Sequence, residues 1–309
     1  MISFFRIQTL IDVLTQKIVL GHGSQELNKK YIRNEYQTII NYTDRDPAHK
    51  ENLIKLDISL CRYKDVYPYK KNVIKVKTPN QFVNASYMHI LIPNYFIASQ
   101  GPKDNTIDDF WTMCFENNVP RILMLCKEFE EGKSKCSDYW DDKMKSELFV
   151  NKGTTIKMQN NNLEQKLIRV ENKKTGETRE FPHLQFKDWP DHSTPNIQNY
   201  VQLFQYLFDF IDERNKDNIT KNNPVLVHCS AGIGRTGVFL TLYGICNEIN
   251  KAIQQGQEIT FSVFNFVRKL KEMRMFSVEN INQYNFIYKF LEEYLKEKNI
   301  PKPDNKIIN

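Results

Sequence analysis

The 309-residue sequence has few of the features that mark multidomain, repetitive or membrane-spanning proteins. It contains only 11 Gly and 12 Pro, and no stretch rich in Pro, Gly and Ser divides it, so we expect one main domain. No internal repeat is visible. No run approaches the roughly 20 apolar residues of a membrane span, so we expect no membrane insertion. Polar residues interrupt the apolar N-terminus, which predicts an amphipathic helix over residues 1–25 and no signal peptide.

The sequence also has only a small excess of positively charged residues. The 43 Lys and Arg residues against 37 Asp and Glu give a formal net charge of +6, which suits an anionic partner. The lysines are scattered and no nucleic-acid-binding motif accompanies them, so we expect no nucleic acid among the partners. The six cysteines, at positions 61, 114, 126, 136, 229 and 246, are interpreted as free thiols of a reducing compartment. We therefore expect a cytoplasmic protein.

The most informative segment runs from Pro224 to Leu240 and reads PVLVHCSAGIGRTGVFL. Its first apolar run is short and β-branched and predicts a buried strand, and its second predicts the opening turns of a helix. Cys229 then lies at a helix N-terminus, where free N–H groups and the helix dipole favour bound anions and the reactive thiolate. Arg235 offers a planar, two-pronged donor to two phosphate oxygens. The segment therefore predicts a phosphate cradle that contains a nucleophile.

Two other interpretations fit this segment less well. A lone cysteine after a strand is commonly an inert small hydrophobe, but one beside an arginine in a glycine-rich turn is more specific. The Gly-x-Gly-x-x-Gly pattern of dinucleotide folds is matched by Gly232, Gly234 and Gly237. Such a fold needs an acidic residue at the end of the next strand, about 20 residues on. Glu258 has the spacing but precedes the β-like run 259–264, so the phosphate cradle is favoured.

The ten residues from His228 to Gly237 resemble the signature loop of the classical, tyrosine-specific protein tyrosine phosphatases, the His-Cys-x5-Arg enzymes. The resemblance implies that Cys229 attacks the phosphorus of phosphotyrosine, that Arg235 holds the phosphoryl oxygens, and that Thr236 assists the leaving thiolate in the second step. His228 would support the loop. The phosphate would also be bound by the remaining loop residues, which are Ser230, Ala231, Gly232, Ile233 and Gly234. We expect neither a cofactor nor a metal.

A second resemblance supplies the general acid that such a reaction needs. The segment DWPDHSTP, from Asp188 to Pro195, resembles the family's Trp-Pro-Asp loop, which closes over the substrate. Asp191 would protonate the leaving tyrosine oxygen and then act as a base toward water, and Trp189 would support the loop. Without the resemblance, a solvated turn would be an equally good interpretation of the segment.

Two further loops complete the predicted site. The segment from Arg62 to Tyr69 resembles the phosphotyrosine-recognition loop, in which Tyr63 would stack on the substrate ring and Asp65 would bond the substrate backbone. A recognition loop of that depth would let a phosphotyrosine reach Cys229 but not the shorter phosphoserine or phosphothreonine. This argues against a dual-specificity phosphatase. The segment EEGKSKC resembles the family loop whose glutamate pairs with the signature arginine. Glu130 would then pair with Arg235, and Lys135 would lie near the Trp-Pro-Asp loop, which is called the acid loop below. Without the resemblance this segment is a solvated charge run.

Three departures from the family pattern bear on turnover. Relatives supply two glutamines for the hydrolytic water; Gln283 retains one, but the other position is Glu279. We hypothesise that this carboxylate slows hydrolysis of the phosphocysteine, because like charges repel and Glu lacks an amide donor. Phe276 replaces a glycine common in relatives and is expected to narrow a secondary pocket. His192 and Ser193 alter the end of the acid loop, which affects the expected rate and pH dependence of its closure.

The family resemblance implies an α/β (α+β) fold, with a twisted mixed central sheet flanked by helices. We expect a tyrosine phosphatase domain over residues 26–298 and a frayed tail over 299–309. Apolar periodicity predicts strands near residues 121–125, 167–170, 183–186 and 225–227 and helices over 200–214 and 283–296.

The predicted function is hydrolysis of phosphotyrosine in proteins by a monomeric enzyme. The alternative is a catalytically weak pseudophosphatase that binds phosphotyrosine proteins and shields them. The small chain also resembles the tyrosine phosphatases of polydnaviruses (bracoviruses), which implies action on signalling in the host-cell cytoplasm.

Overall fold

The computed structural model describes residues 25–90, 92–159, 162–189, 197–213 and 223–298. Apart from Gln25, the amphipathic helix predicted over residues 1–25 lies outside these ranges, and so does the tail predicted over 299–309.

An eight-stranded sheet forms the centre of the molecule. The described strands are β1 (Val73–Lys75), β2 (Phe82–Ile90), β3 (Ile92–Ser99), β4 (Ile122–Met124), β5 (Phe129–Glu130), β6 (Lys133–Ser134), β7 (Phe149–Gln159), β8 (Leu163–Asn172), β9 (Thr178–Phe186) and β10 (Val225–His228). The strand order is β1-β2-β3-β10-β4-β9-β8-β7, and β5 and β6 form a separate hairpin. The four central strands β3, β10, β4 and β9 are parallel, whereas the outer pairs are antiparallel. The predicted mixed sheet is confirmed.

Helices flank this sheet. They are α1 (Gln25–Tyr42), α2 (Pro47–Glu51), α3 (Ile107–Glu116), α4 (Ile197–Asp212), α5 (Gly234–Gln254), α6 (Val263–Met273) and α7 (Ile281–Glu297), with 3₁₀ turns at Ile58–Leu60 and Asp104–Thr106. Among the described residues, none of these helices is long and apolar enough to cross a membrane. All six cysteines are free and buried, which confirms the prediction of free thiols.

Aromatic side chains join the helices to the sheet and to each other. Trp111 of α3 packs on Phe181 of β9 with ring centroids 5.0 Å apart. Phe204 of α4 contacts Phe290 of α7 at 5.1 Å and Phe239 of α5 at 6.4 Å. Each such pair contributes about 0.5–1.5 kcal/mol beyond the burial of its area. These contacts make the sheet and its helices a rigid support for the loops.

The predicted strands and helices that fall within the described residues agree with the structure except at one place. The predicted strands lie in β4, β8, β9 and β10, and the predicted helices in α4 and α7. The β-like interpretation of residues 259–264 is wrong, because no strand forms there and α6 begins at Val263. Ser262 caps this helix by accepting a hydrogen bond from the N–H of Asn265, and Phe264 is buried in the first turn. A strong N-cap thus outweighs the β-branched and aromatic composition.

The sheet brings four loops to one place. Because β3, β10, β4 and β9 are parallel, their carboxyl ends lie at the same edge. The segment that follows β10 ends at Gly234, where α5 begins. The β5–β6 hairpin follows β4, and residues 187–189 follow β9. Cys229 therefore lies at the predicted transition from strand to helix.

Candidate active site

The loop from Cys229 to Gly234 turns tightly against the segment that follows β3. Cys229 is 3% exposed, and the carbonyl of Ser230 accepts a 2.8 Å hydrogen bond from the N–H of Gly101. Gly232 has a φ of +68°, and a Cβ there would overlap the carbonyl of Ser99. Only glycine fits this conformation in this space. The loop backbone is thus forced into one shape with Cys229 at its start.

Arg235 is fixed in orientation by Glu130. The two terminal nitrogens of Arg235 donate to the two carboxylate oxygens of Glu130 at 2.6 and 3.0 Å, and one also donates to the Trp189 carbonyl at 3.0 Å. Burial disfavours the charged guanidinium, but the hydrogen bonds to Glu130 and the nearby negative charges outweigh it, and the pKa of Arg235 is raised. The bidentate pair sets the guanidinium plane at the wall of the cleft.

Arg274 supports the loop from below, a role that the sequence alone did not suggest. Its side chain is fully buried and donates to the carbonyls of Gly232 at 2.7 Å and Ala231 at 3.0 Å, and to the side-chain oxygen of Asn84 at 3.0 Å. Burial lowers the pKa of Arg274 to about 10. No local signal in the sequence pointed to this role, because arginine is rarely fully buried and its partners here come from distant segments.

A buried chain of hydrogen bonds lies behind Cys229. The Tyr139 hydroxyl is 2.8 Å from Nε2 of both His183 and His228, and Nδ1 of His228 is 3.1 Å from the Cys229 carbonyl. Burial lowers the pKa of His228 to about 4 and that of His183 well below its ordinary value, so both rings are neutral. If Nδ1–H of His228 donates to the Cys229 carbonyl, Tyr139 must donate to His228 and accept from His183. Of the three side chains in this hydrogen-bonded series, only His228 was predicted from the sequence.

Tyr63 forms one wall of the cleft. Its hydroxyl lies 2.9 Å from Oγ of Ser230, and that Oγ donates in turn to the Lys135 carbonyl at 3.0 Å. The Tyr63 side chain is exposed along the cleft, and Asp65 is exposed on the same loop. Arg62 braces this loop by donating from Nε to the Gly101 carbonyl at 2.9 Å. The predicted recognition loop and the signature loop are therefore in direct contact.

Glu279 and Gln283 lie on the opposite side of the loop. The N–H of Glu279 donates to Oε1 of Gln283 at 2.8 Å. A Cβ added at Gly234 would lie 2.7 Å from Nε2 of Gln283 and 3.0 Å from Oε2 of Glu279. Both side chains therefore pack closely against the signature loop. Glu279 is exposed and Gln283 is buried.

These groups line one open cleft of about 400 Å³. Cys229 and Arg235 lie in it, together with Tyr63, Glu279 and Gln283. Other basic residues that line it are Arg62, Lys103, Lys133 and Lys135. The cleft therefore combines a thiol with a cationic lining, which suits a dianionic phosphate ester.

The remaining predicted residues have different outcomes. Trp189 is buried among Phe186, Phe204 and Phe286, and its carbonyl accepts from Arg235. The Thr236 hydroxyl is buried and makes no hydrogen bond within the described ranges. Asp191, His192 and Ser193 lie outside the described residues.

Sequence comparisons agree on one family. The family model described as Protein-tyrosine phosphatase matches residues 57–293. Tyrosine-protein phosphatase non-receptor type 20 of Rattus norvegicus is 33% identical over 243 residues, which are 76% of this chain and 54% of the relative. Receptor-type tyrosine-protein phosphatase eta of Gallus gallus is 32% identical over 256 residues, which are 79% of this chain and 17% of the relative. The chain thus spans about half, or less, of the length of these curated relatives.

Solved structures show the same fold. "Structural basis of PTPN18 fingerprint on distinct HER2 tyrosine phosphorylation sites" has a TM-score of 0.74 at 25% identity, over 91% of this chain and 99% of that chain. "PTPN18 in complex with HER2-pY1196 phosphor-peptides" has a TM-score of 0.71 at 25% identity, over 85% of this chain and 92% of that chain. Because the family model covers most of the sequence and the fold is shared, the chain belongs to the protein tyrosine phosphatase family.

Proposed function

We propose that this chain hydrolyses phosphotyrosine in proteins through a phosphocysteine intermediate. The observation that carries the proposal is the pairing of a buried thiol, Cys229, with an arginine whose two terminal nitrogens are both held by Glu130 in the same cleft. Phosphoryl transfer depends on positioning and charge stabilisation, and this geometry supplies both.

In the first step, the Cys229 thiolate attacks phosphorus, an S–P bond forms and the bond from phosphorus to the tyrosine oxygen breaks. Arg235 neutralises charge on the equatorial oxygens. Asp191 gives its proton to the leaving tyrosine oxygen, so that a neutral phenol departs.

In the second step, water attacks phosphorus and the S–P bond breaks. Asp191, now a carboxylate, takes the proton of the water, and inorganic phosphate leaves. The Thr236 hydroxyl, which has no other hydrogen bond within the described ranges, stabilises the departing thiolate. Glu279 slows this step, because its carboxylate lies beside the anionic intermediate.

The substrate class follows from the wall of the cleft. Tyr63 stands over Ser230 at the cradle, and a flat ring can stack beside it while the phosphate reaches Cys229. A relative in fold, PTPN18, has been solved in complex with HER2-pY1196 phosphor-peptides. We propose the same class of ligand here.

A phosphotyrosyl peptide assay tests this function. We expect release of phosphate by the wild-type protein, none by Cys229→Ser, and slow release by Asp191→Ala. The matched control is Cys246→Ser, because Cys246 is a buried free thiol of α5 outside the cleft. If Cys229→Ser retains wild-type turnover, the mechanism is wrong.

The pseudophosphatase remains the second candidate, and the observation that favours it is the carboxylate of Glu279 in the cleft. It predicts that the wild-type protein binds the phosphopeptide without releasing phosphate. The assay above, run beside a binding measurement with the same phosphopeptide, separates the two, because a shielding protein would bind the peptide and release no phosphate.

We further propose that the chain is a monomer that works in the cytoplasm, which in the viral case is that of the host cell. The six free thiols support a reducing compartment. Expression in insect cells, with Cys229→Ser as the control, tests this: a tagged protein in the cytoplasm is expected to lower cellular phosphotyrosine. Secretion of the protein would contradict the proposal, and gel filtration measures its mass.

A further inference from the structure

Helix α1 is linked to the candidate active site by one buried hydrogen bond. The Tyr36 hydroxyl donates to the carbonyl of Val278 at 2.9 Å, between residues 242 positions apart. Both residues are buried, so water does not compete for the carbonyl. No step of the proposed chemistry uses Tyr36.

The backbone that Tyr36 holds is in an unusual conformation. Val278 has a φ of +56° and Phe276 a φ of +59°. The left-handed region is uncommon for any residue with a Cβ and is a true outlier for a β-branched one. Such a conformation persists only where its surroundings impose it. Here the N–H of Val278 donates to the carbonyl of Ile233 in the signature loop at 3.1 Å, while its carbonyl accepts from Tyr36.

One rigid peptide group transmits this contact to the cleft. The carbonyl of Val278 and the N–H of Glu279 belong to the same planar peptide. Its oxygen is held by Tyr36, and its N–H donates to Oε1 of Gln283 at 2.8 Å. Rotation of this peptide would therefore move Gln283 and Glu279, the two side chains that press on Gly234.

The support for Tyr36 is itself fixed. The neighbouring Glu35 accepts hydrogen bonds from the hydroxyls of Tyr284 at 2.7 Å and Tyr288 at 2.8 Å, both on α7. The ring of Tyr36 packs on that of Tyr284 with centroids 5.0 Å apart. Burial, together with the charges of Asp44 and Glu279, raises the pKa of Tyr36, so its hydroxyl stays protonated and donates.

We propose that Tyr36 is a positioning residue for the hydrolysis of phosphocysteine. It holds the peptide between Val278 and Glu279 and so places Gln283, whose Oε1 accepts a hydrogen bond from that peptide, beside the attacking water. This inference rests on the proposed function. In a two-step reaction, kcat/KM reports the steps up to formation of the phosphocysteine, whereas kcat also reports its hydrolysis. Loss of the Tyr36 hydroxyl should therefore lower kcat and leave kcat/KM unchanged.

The experiment compares the wild-type protein with Tyr36→Phe, which keeps the ring and removes only the hydroxyl. Rapid mixing with p-nitrophenyl phosphate gives the burst amplitude, which counts intact sites, and steady-state kinetics give kcat per intact site. We expect kcat to fall about three- to tenfold, the effect of one buried hydrogen bond, with kcat/KM unchanged. Tyr31→Phe, an exposed tyrosine of the same helix, is the control and should match the wild type.

The burst amplitude and kcat per intact site distinguish a positioning role of Tyr36 from an effect on folding. A merely structural role for Tyr36 would lower the burst amplitude and leave turnover per intact site unchanged, which would overturn the inference. An equal fall in kcat and kcat/KM would also overturn it. Absence of turnover in the wild-type protein would instead contradict the proposed function, on which the inference depends.

Discussion

Glu130 holds both terminal nitrogens of Arg235, with side chains that are 9% and 4% exposed. The pair is separated by 105 positions in the sequence, and Arg235 lines the cleft that is proposed to hold the phosphate. The arginine therefore cannot rotate away when the cleft is empty. Binding a phosphate then requires little ordering of this side chain, and pre-organisation of this kind is what transition-state stabilisation needs.

We expect Glu130→Gln to lower kcat/KM about 10- to 100-fold, because the amide keeps the shape but loses the charge that orients Arg235. Removing one partner of a buried ion pair lowers the free energy of unfolding by about 3–5 kcal/mol when nothing replaces it. The variant should therefore also unfold at a lower temperature than the wild type. The control is Glu180→Gln, which breaks the exposed pair with Arg169 and should change stability by no more than about 1 kcal/mol. Equal kcat/KM for Glu130→Gln and the wild type would contradict this role.

Glu279→Gln tests the second step. If the carboxylate slows hydrolysis of the phosphocysteine, the amide should raise kcat several-fold, leave kcat/KM unchanged and reduce the visible burst. Glu131→Gln is the matched control, because Glu131 also lines the cleft but is on the hairpin side. Unchanged kcat and an unchanged burst in Glu279→Gln would refute the hypothesis.

Phe276→Gly tests substrate access. The ring is partly buried, and its residue has a φ of +59°, a conformation that glycine adopts without strain. We expect the variant to use a doubly phosphorylated peptide better, measured as its kcat/KM relative to that of a singly phosphorylated peptide. An unaltered ratio would show that the ring does not restrict access.

The buried histidines predict a pH dependence of stability. In the unfolded chain a histidine takes up a proton near pH 6.5, but the folded protein lowers the pKa of His228 to about 4. The unfolded state therefore binds more protons between these values, and the stability that is present above pH 6.5 falls as the pH decreases to about 4. The slope is about 1.4 kcal/mol per pH unit for each such histidine.

Urea unfolding of the wild type and of His183→Gln at several pH values measures this effect, because the pKa of His183 is lowered in the same direction. The variant should show a smaller loss of stability between pH 6.5 and 4. The same slope in both proteins would contradict the prediction.

The signature loop was predictable because its information is local. A short β-branched run, a small-residue turn and a second apolar run place Cys229 between a strand and a helix whatever surrounds them. The resemblance to the family added Glu130 and Tyr63, which no periodicity reveals.

Contacts between distant segments were not predictable in this way. The bridge made by Tyr139 between His183 and His228 depends on the order of the strands in the sheet. Arg274 reaches the loop only because α6 packs near β2, which brings Asn84 to the same point. At residues 259–264 the composition favoured a strand, but the cap at Ser262 favoured a helix and prevailed.

The common edge of the four parallel strands also bears on how the protein acquires activity. The loops that meet there come from β3, β4, β9 and β10, which are spread over residues 92–228 of the sequence. Long-range strand pairings of this kind form slowly, because closing the long loops between the strands costs conformational entropy before the stabilising contacts have formed. Recovery of activity after dilution from denaturant should therefore coincide with the last phase of refolding, and no fragment that lacks one of these strands should show partial activity.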